Sequence, residues 1–172
     1  MLYSIQTLDF MTRPQFNETF QINTMTSIKH RSTDDFDPPT YRPHGRVTFT
    51  IYDNVLVCEA IGPFNKELIT AIESVEIGLL EESKPKEKWG EIIIITGSAL
   101  SSAETLVAFT NYLKKLVAHK LMADVSALVI DDQVEGAGVM TPHLIKAYAD
   151  AGIELTVFDT LNEARVWVKL HL

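Results

Sequence analysis

Cysteine is all but missing from this chain. Cys58 is the only one in 172 residues, which excludes an intrachain disulfide and any zinc centre built on several thiolates. Basic residues are also scarce, with 15 Lys and Arg against 23 Asp and Glu and a formal net charge of −8. A nucleic-acid binder needs a positive footprint to release counterions from phosphates, so that class is disfavoured. No apolar run approaches the roughly 18 residues needed to cross a bilayer. The opening MLYSIQTLDF meets Asp9 before any Lys or Arg, the reverse of the basic-then-apolar order of a secretion signal. The expected compartment is therefore the cytoplasm. Internal repeats and low-complexity tracts are absent too. What is present is an ordinary globular balance, 46% apolar and 22% charged, in a length that suits one domain.

Residues 1–43 differ from the rest. They are rich in Thr, Ser, Asn and Gln, end near Asp34-Asp35-Phe36-Asp37-Pro38-Pro39, and hold no sustained helical period. Their charges nearly cancel, so almost all of the acidic excess lies beyond them. Too little apolar surface is available here to offset the entropy of ordering a separate fold. The expectation is a partly ordered arm, with Thr19 to Thr24 alternating like a strand. Phe16, Phe20, Ile22 and Met25 could dock on the main domain or on a second copy of the chain. Asn17-Glu18-Thr19 matches a glycosylation acceptor pattern, which has no consequence in a cytoplasmic protein.

From residue 44 onward, strand and helix signals alternate. Val47, Phe49 and Ile51 are spaced as on a half-buried strand. Asp53-Asn54 supplies turn residues, and Val55 to Ile61 completes a hairpin that ends at Gly62-Pro63. Phe64, Leu68, Ile72, Val75 and Leu79 form the stripe of an amphipathic helix. The run Ile92-Ile93-Ile94-Ile95 does not alternate, which suits a strand covered on both faces in a parallel sheet. Ser101 through Glu104 reads as a capping box ahead of a helix marked by Leu106, Phe109, Leu113 and Leu116. Val125 to Ile130 is a second buried strand. Thr141-Pro142 reads as a cap followed by a first-turn proline, and Gly152 as a left-handed helix end. Glu154 to Phe158 is a last strand, and Thr160 with Glu163 caps a final helix. The predicted order is β-β-α-β-α-β-α-β-α, an α/β fold with a mostly parallel sheet and helices on both faces.

This order resembles the STAS fold and, more narrowly, the SpoIIAA-like family. The likeness covers residues 44–172. It rests on His44-Gly45, on the Ile61-Gly62-Pro63-Phe64 turn, and on the ending Val157-Phe158-Asp159, Glu163-Ala164 and Trp167-Val168. The resemblance implies a non-catalytic regulatory module that docks a protein partner. It also implies a serine switch at the opening of the second helix, where Ser101 and Ser102 stand. Here Leu100 and Ala103 replace the flanking Asp and Gly of the family's pattern. A phosphate at that helix start would meet free amides and the helix dipole; the competing role for either serine is a plain cap. The SpoIIAA-like family is similar in fold to CRAL-TRIO lipid-binding proteins. That likeness implies a nonpolar ligand under mobile helices, with Val139, Met140, Leu144, Ile145 and Tyr148 as the candidate apolar lining. The alternative expectation is a carrier of a nonpolar small molecule with peripheral membrane contact.

Other constellations point less clearly to chemistry. Gly136-Ala137-Gly138 followed by Asp159 hints at dinucleotide binding, but Thr141 stands where a third glycine is needed. Asp131, Asp132 and Glu135 suit a capped, solvated loop. The histidines lack zinc spacing. Ser98, Ser101 or Ser102 with His143 and Asp131 makes a triad only on paper, because no nucleophile elbow surrounds those serines. Cys58 reads as a small buried hydrophobe, and Trp89 and Trp167 as packing anchors. No catalytic residue, metal or cofactor is expected, and a homodimer is compatible with the arm. A pocket with converging polar groups and perturbed acids would instead signal an enzyme.

Overall fold

A computed structural model describes residues 29–37 and 41–172 of the chain. The proposed arm before Lys29, including the strand-like Thr19 to Thr24, lies outside the described residues. Six strands form one sheet in sequential order. They are β1 (Lys29–Ser32), β2 (Arg46–Tyr52), β3 (Val55–Ile61), β4 (Gly90–Thr96), β5 (Val125–Ile130) and β6 (Leu155–Phe158). The helices are α1 (Lys66–Ser83), α2 (Ala103–Ala118), α3 (Ala137–Asp150) and α4 (Leu161–His171). The β1–β2 and β2–β3 pairs are antiparallel, and β3 through β6 are parallel. This is the predicted α/β order. One edge strand is added in front of it, from residues assigned to the arm on sequence grounds.

Connectivity decides where the helices lie. Three successive right-handed crossovers between adjacent strands, always stepping the same way, put α1, α2 and α3 on one face. The fourth helix follows the last strand with no further step to make, and it folds back on the other face against β4, β5 and β6. Helices do cover both faces, in a ratio of three to one.

The parallel run predicted at 92–95 pairs residue for residue with 127–130, with Ile92 opposite Ala127 and Ile95 opposite Ile130. Because side chains alternate along a strand, Ile92 points to α4 and Ile93 to the three-helix side. The first helix begins where Asn65 caps it by accepting from the Leu68 amide at 3.0 Å. It ends at Lys84, just before Pro85, a residue that disfavours a helical neighbour.

Two helix starts depart from the sequence reading. Ser102, not Ser101, caps α2, accepting from the Thr105 amide at 3.1 Å. Ser101 is held one step earlier by an isolated parallel bridge to Phe64. The third helix begins at Ala137 rather than after Thr141, so Pro142 sits inside it. Gly136, with φ of +78°, makes that earlier start; a side chain there would also collide with Leu100, 2.6 Å from where its Cβ would stand. Thr141 turns its hydroxyl back to the Ala137 carbonyl at 2.8 Å instead of capping. The glycine-containing stretch before Met140 is therefore largely the first turn of a helix. Gly152 does adopt the left-handed end expected of it, with φ of +81°.

Candidate functional site: a buried carboxyl pair under three helices

On the three-helix side a cavity of about 90 Å³ lies between the sheet and α1, α2 and α3. Its walls are mostly apolar, from Phe49 on β2, Ala60 on β3, Ile93 and Ile95 on β4, Ile69 and Ile72 on α1, and Leu106 and Phe109 on α2. Two carboxylates interrupt that surface. Glu76 is on the buried side of α1, one turn after Ile72, and is only 3% exposed. Glu91 is the second residue of β4, two positions before Ile93 and therefore on the same face, and is 5% exposed.

Apart from each other, every hydrogen-bond partner of these two acids among the described residues is a donor. The Tyr112 hydroxyl donates to Glu76 Oε2. Ser126 on β5 and Tyr148 on α3 donate to Glu91 Oε2 at 3.2 and 3.5 Å. The Cys58 thiol points at Glu91 Oε1 from 3.8 Å. Cys58 Sγ and one oxygen from each acid lie within 4.8 Å of one another. That span fits the shell of a small cation, although three donors with no histidine make a sparse set.

Among the described residues, no lysine, arginine or histidine lines the cavity. Burial therefore dominates the protonation of both acids. Glu91 is pushed up to about 7 by desolvation, an effect opposed by the bonds from Ser126, Cys58 and Tyr148. Glu76 is pushed up to about 8 by desolvation and then by the charge of Glu91, with the Tyr112 bond opposing. The Cys58 thiol and both phenols are raised by burial first and by the neighbouring carboxylates second. At neutral pH the pair keeps protons that an ordinary glutamate would have lost.

The sequence-predicted residues are only partly assembled here. Leu144 and Tyr148 line the cavity. Met140 is buried in the core but is not part of the wall, while Val139 is 65% and Ile145 41% exposed on the outer side of α3. Ser101 is half-buried and lines the cavity, its hydroxyl 3.4 Å from the Ala99 carbonyl. Ser102 is exposed and occupied as a cap. Cys58 is buried as expected, but among polar groups instead of aliphatic ones alone. Asp131 and Asp132 accept from Gln133 and shape the loop. Ser98 accepts from the Leu100 amide and His143 is exposed on α3, so no hydrogen bond among the described residues assembles a triad.

Glu76, Glu91, Tyr112 and Ser126 were missed by sequence reasoning. The available signal was positional. An acid at an apolar place in a helical stripe, and another in phase with a buried strand face, mark charge inside a core. Comparisons of this chain with protein-family models, with curated proteins and with solved structures find no match.

Proposed function

We propose that the protein is a non-catalytic binding module of the SpoIIAA-like or STAS kind, which docks a protein partner and seats a small, largely nonpolar molecule under α1, α2 and α3. The observation that carries this reading is the apolar cavity of about 90 Å³ with a polar floor. Cores are normally packed to crystal density, so a void of this size beside buried acids calls for an occupant. The volume sets the scale of that occupant. An engineered cavity of about 150 Å³ takes benzene, so this one suits a few heavy atoms or the end of a longer chain. Carriage of a whole lipid, the alternative reading, requires the three helices to part. Thermal unfolding of the full chain with added cyclopentane tests the proposal. Binding to the fold alone raises stability by about 2.7 kcal/mol at one hundred times the dissociation constant, and a Leu144→Phe variant that fills the cavity should lose the effect. Unfolding curves indifferent to the hydrocarbon would remove this reading.

A second reading, general acid–base catalysis on the same small molecule, is favoured by one observation. Two carboxyls poised near neutrality in an apolar pocket suit proton transfer at physiological pH. Exchange of solvent deuterium into a bound carbon acid, lost in Glu91→Gln, would favour catalysis over simple binding.

A further inference from the structure

The cavity's polar floor is unbalanced in a specific way. Two phenols, a thiol and a hydroxyl all aim donors at Glu76 and Glu91, and among the described residues no cationic side chain lines the cavity. Tyr112 occupies Glu76 Oε2, while Oε1, in a residue 3% exposed, is left to the cavity that the side chain lines. Three aromatic rings line the same cavity. Phe109 has its centroid 6.2 Å from Tyr112 and 5.9 Å from Tyr148, and all three rings line the cavity. Carboxylates short of a positive partner, beside apolar and aromatic walls that can cover a hydrocarbon, are the two halves of a site for an organic cation.

We propose that the molecule seated here is a small aliphatic amine, or the amine end of a longer one, bound as its ammonium between Glu76 and Glu91 with its carbons against Phe109, Tyr112 and Tyr148. The proposal rests on the cavity-binding reading above and names its ligand class. The geometry allows it. One oxygen of each acid lies within 4.8 Å of the other, and a nitrogen with charge-assisted bonds of about 2.8 Å reaches two oxygens up to about 5.5 Å apart. The ammonium supplies the positive charge that the floor lacks, and the apolar walls exclude water that would otherwise compete. The protons held by the two carboxyls leave to solvent as the cation enters. Affinity therefore rises with pH through the range from about 6 to about 8. The other groups facing the acids are Cys58 from β3, Ser126 from β5, Tyr112 from α2 and Tyr148 from α3. The thiol and both phenols are raised and stay protonated there.

Thermal unfolding and calorimetric titration of the full chain with n-butylamine, 1-butanol, cyclopentane and Zn²⁺ test the inference. The expected result is amine binding at least tenfold tighter than butanol binding, stronger at pH 8 than at pH 6, and at least tenfold weakened in Glu76→Gln. Glu91→Gln serves as a second variant with the same expectation should Glu76→Gln fail to fold. Equal binding of butanol or cyclopentane would overturn the amine while leaving the cavity reading in place. Tight binding of Zn²⁺ alone, lost in Cys58→Ser, would overturn it in favour of a metal centre. Silence from all four probes would remove both the inference and the reading beneath it.

Discussion

The two faces of one sheet solve the burial problem differently, and adjacent residues on β4 show how. Glu91 points to the three-helix side, where Ser126, Cys58 and Tyr148 supply its donors. Ile92, the next residue, points to α4, where Ala127, Val129, Ala164 and Val168 form a cluster with no polar member. The α4 face is a smaller apolar core, bordered by a groove in which Ile92 and Val168 meet Asn54, Asn162, Arg165 and Lys169. The three-helix face is larger, incompletely filled, and carries a charge problem it solves with protons and hydroxyls. A buried acid lowers stability unless it is partnered, so the face that tolerates it is where a ligand-binding role belongs.

The strongest way to break this contrast is to move an acid by one residue. Ile92→Glu puts a carboxylate in place of a side chain 2% exposed that packs on Ala127, Val129, Ala164 and Val168, and a loss of about 4 kcal/mol or more is expected in urea unfolding. Glu91→Gln keeps the shape and one acceptor oxygen on the other face and should change stability by about 1 kcal/mol or less near pH 5, where the folded carboxyl still holds its proton. Similar losses for the two would mean that the faces are electrostatically alike.

Next comes pH. Glu91 and Glu76 keep their protons up to about 7 and about 8 in the fold, whereas the unfolded chain releases them near the ordinary 4.5. Between those values the folded state binds more protons. Its stability is therefore highest below the ordinary value, falls as pH rises, and levels off above about 8. Each acid contributes a slope of ~1.4 kcal/mol per pH unit within its window. Unfolding free energies from urea titrations between pH 5 and pH 8 should decline by several kcal/mol in the native chain and stay nearly level in the Glu76→Gln, Glu91→Gln double variant. The α4 cluster contains no titratable member, so variants there should shift the curve without changing its slope.

A smaller effect probes how tightly the α4 face is closed. Gly90 opens β4 beneath that helix, and a Cβ added there would stand 2.5 Å from Val168 Cγ1. Gly90→Ala should cost about 1–3 kcal/mol through overpacking, read as a lower thermal midpoint with the pH slope intact. A neutral result would show that α4 shifts easily and that its face is the looser of the two.

Much of this architecture was legible in the sequence, because strand and helix periods follow from burial. The unbroken Ile92 to Ile95 run announced a strand covered on both sides, and the Leu68, Ile72, Val75, Leu79 stripe announced α1. The site was not legible for the same reason. Counting apolar positions treats Glu76 as a gap in a stripe and Glu91 as the polar edge of a strand, although each sits in phase with its buried neighbours. The start of α3 was misplaced because Thr141-Pro142 is a strong local opening signal, yet the left-handed Gly136 begins the helix one turn sooner. Local rules see a proline's missing amide. They do not see that the helix already starts at Ala137 and carries Pro142 inside it.

The two serines at the opening of α2 offer the finest test, since both are good caps by residue type and only tertiary pairing separates them. Ser102 accepts from the Thr105 amide and lies 2.9 Å from the Thr105 hydroxyl, so Ser102→Ala should cost about 1 kcal/mol. Ser101 has its backbone fixed by the bridge to Phe64, and its hydroxyl makes a long 3.4 Å contact with the Ala99 carbonyl. Ser101→Ala should therefore change stability by only a few tenths of a kcal/mol. Because Ser101 also lines the cavity, the same substitution should alter ligand affinity, whereas Ser102→Ala should leave it unchanged. Thermal midpoints with and without n-butylamine read both quantities at once. A ligand effect at Ser102 and none at Ser101 would mean that α2, rather than the cavity it covers, governs what the three-helix face binds.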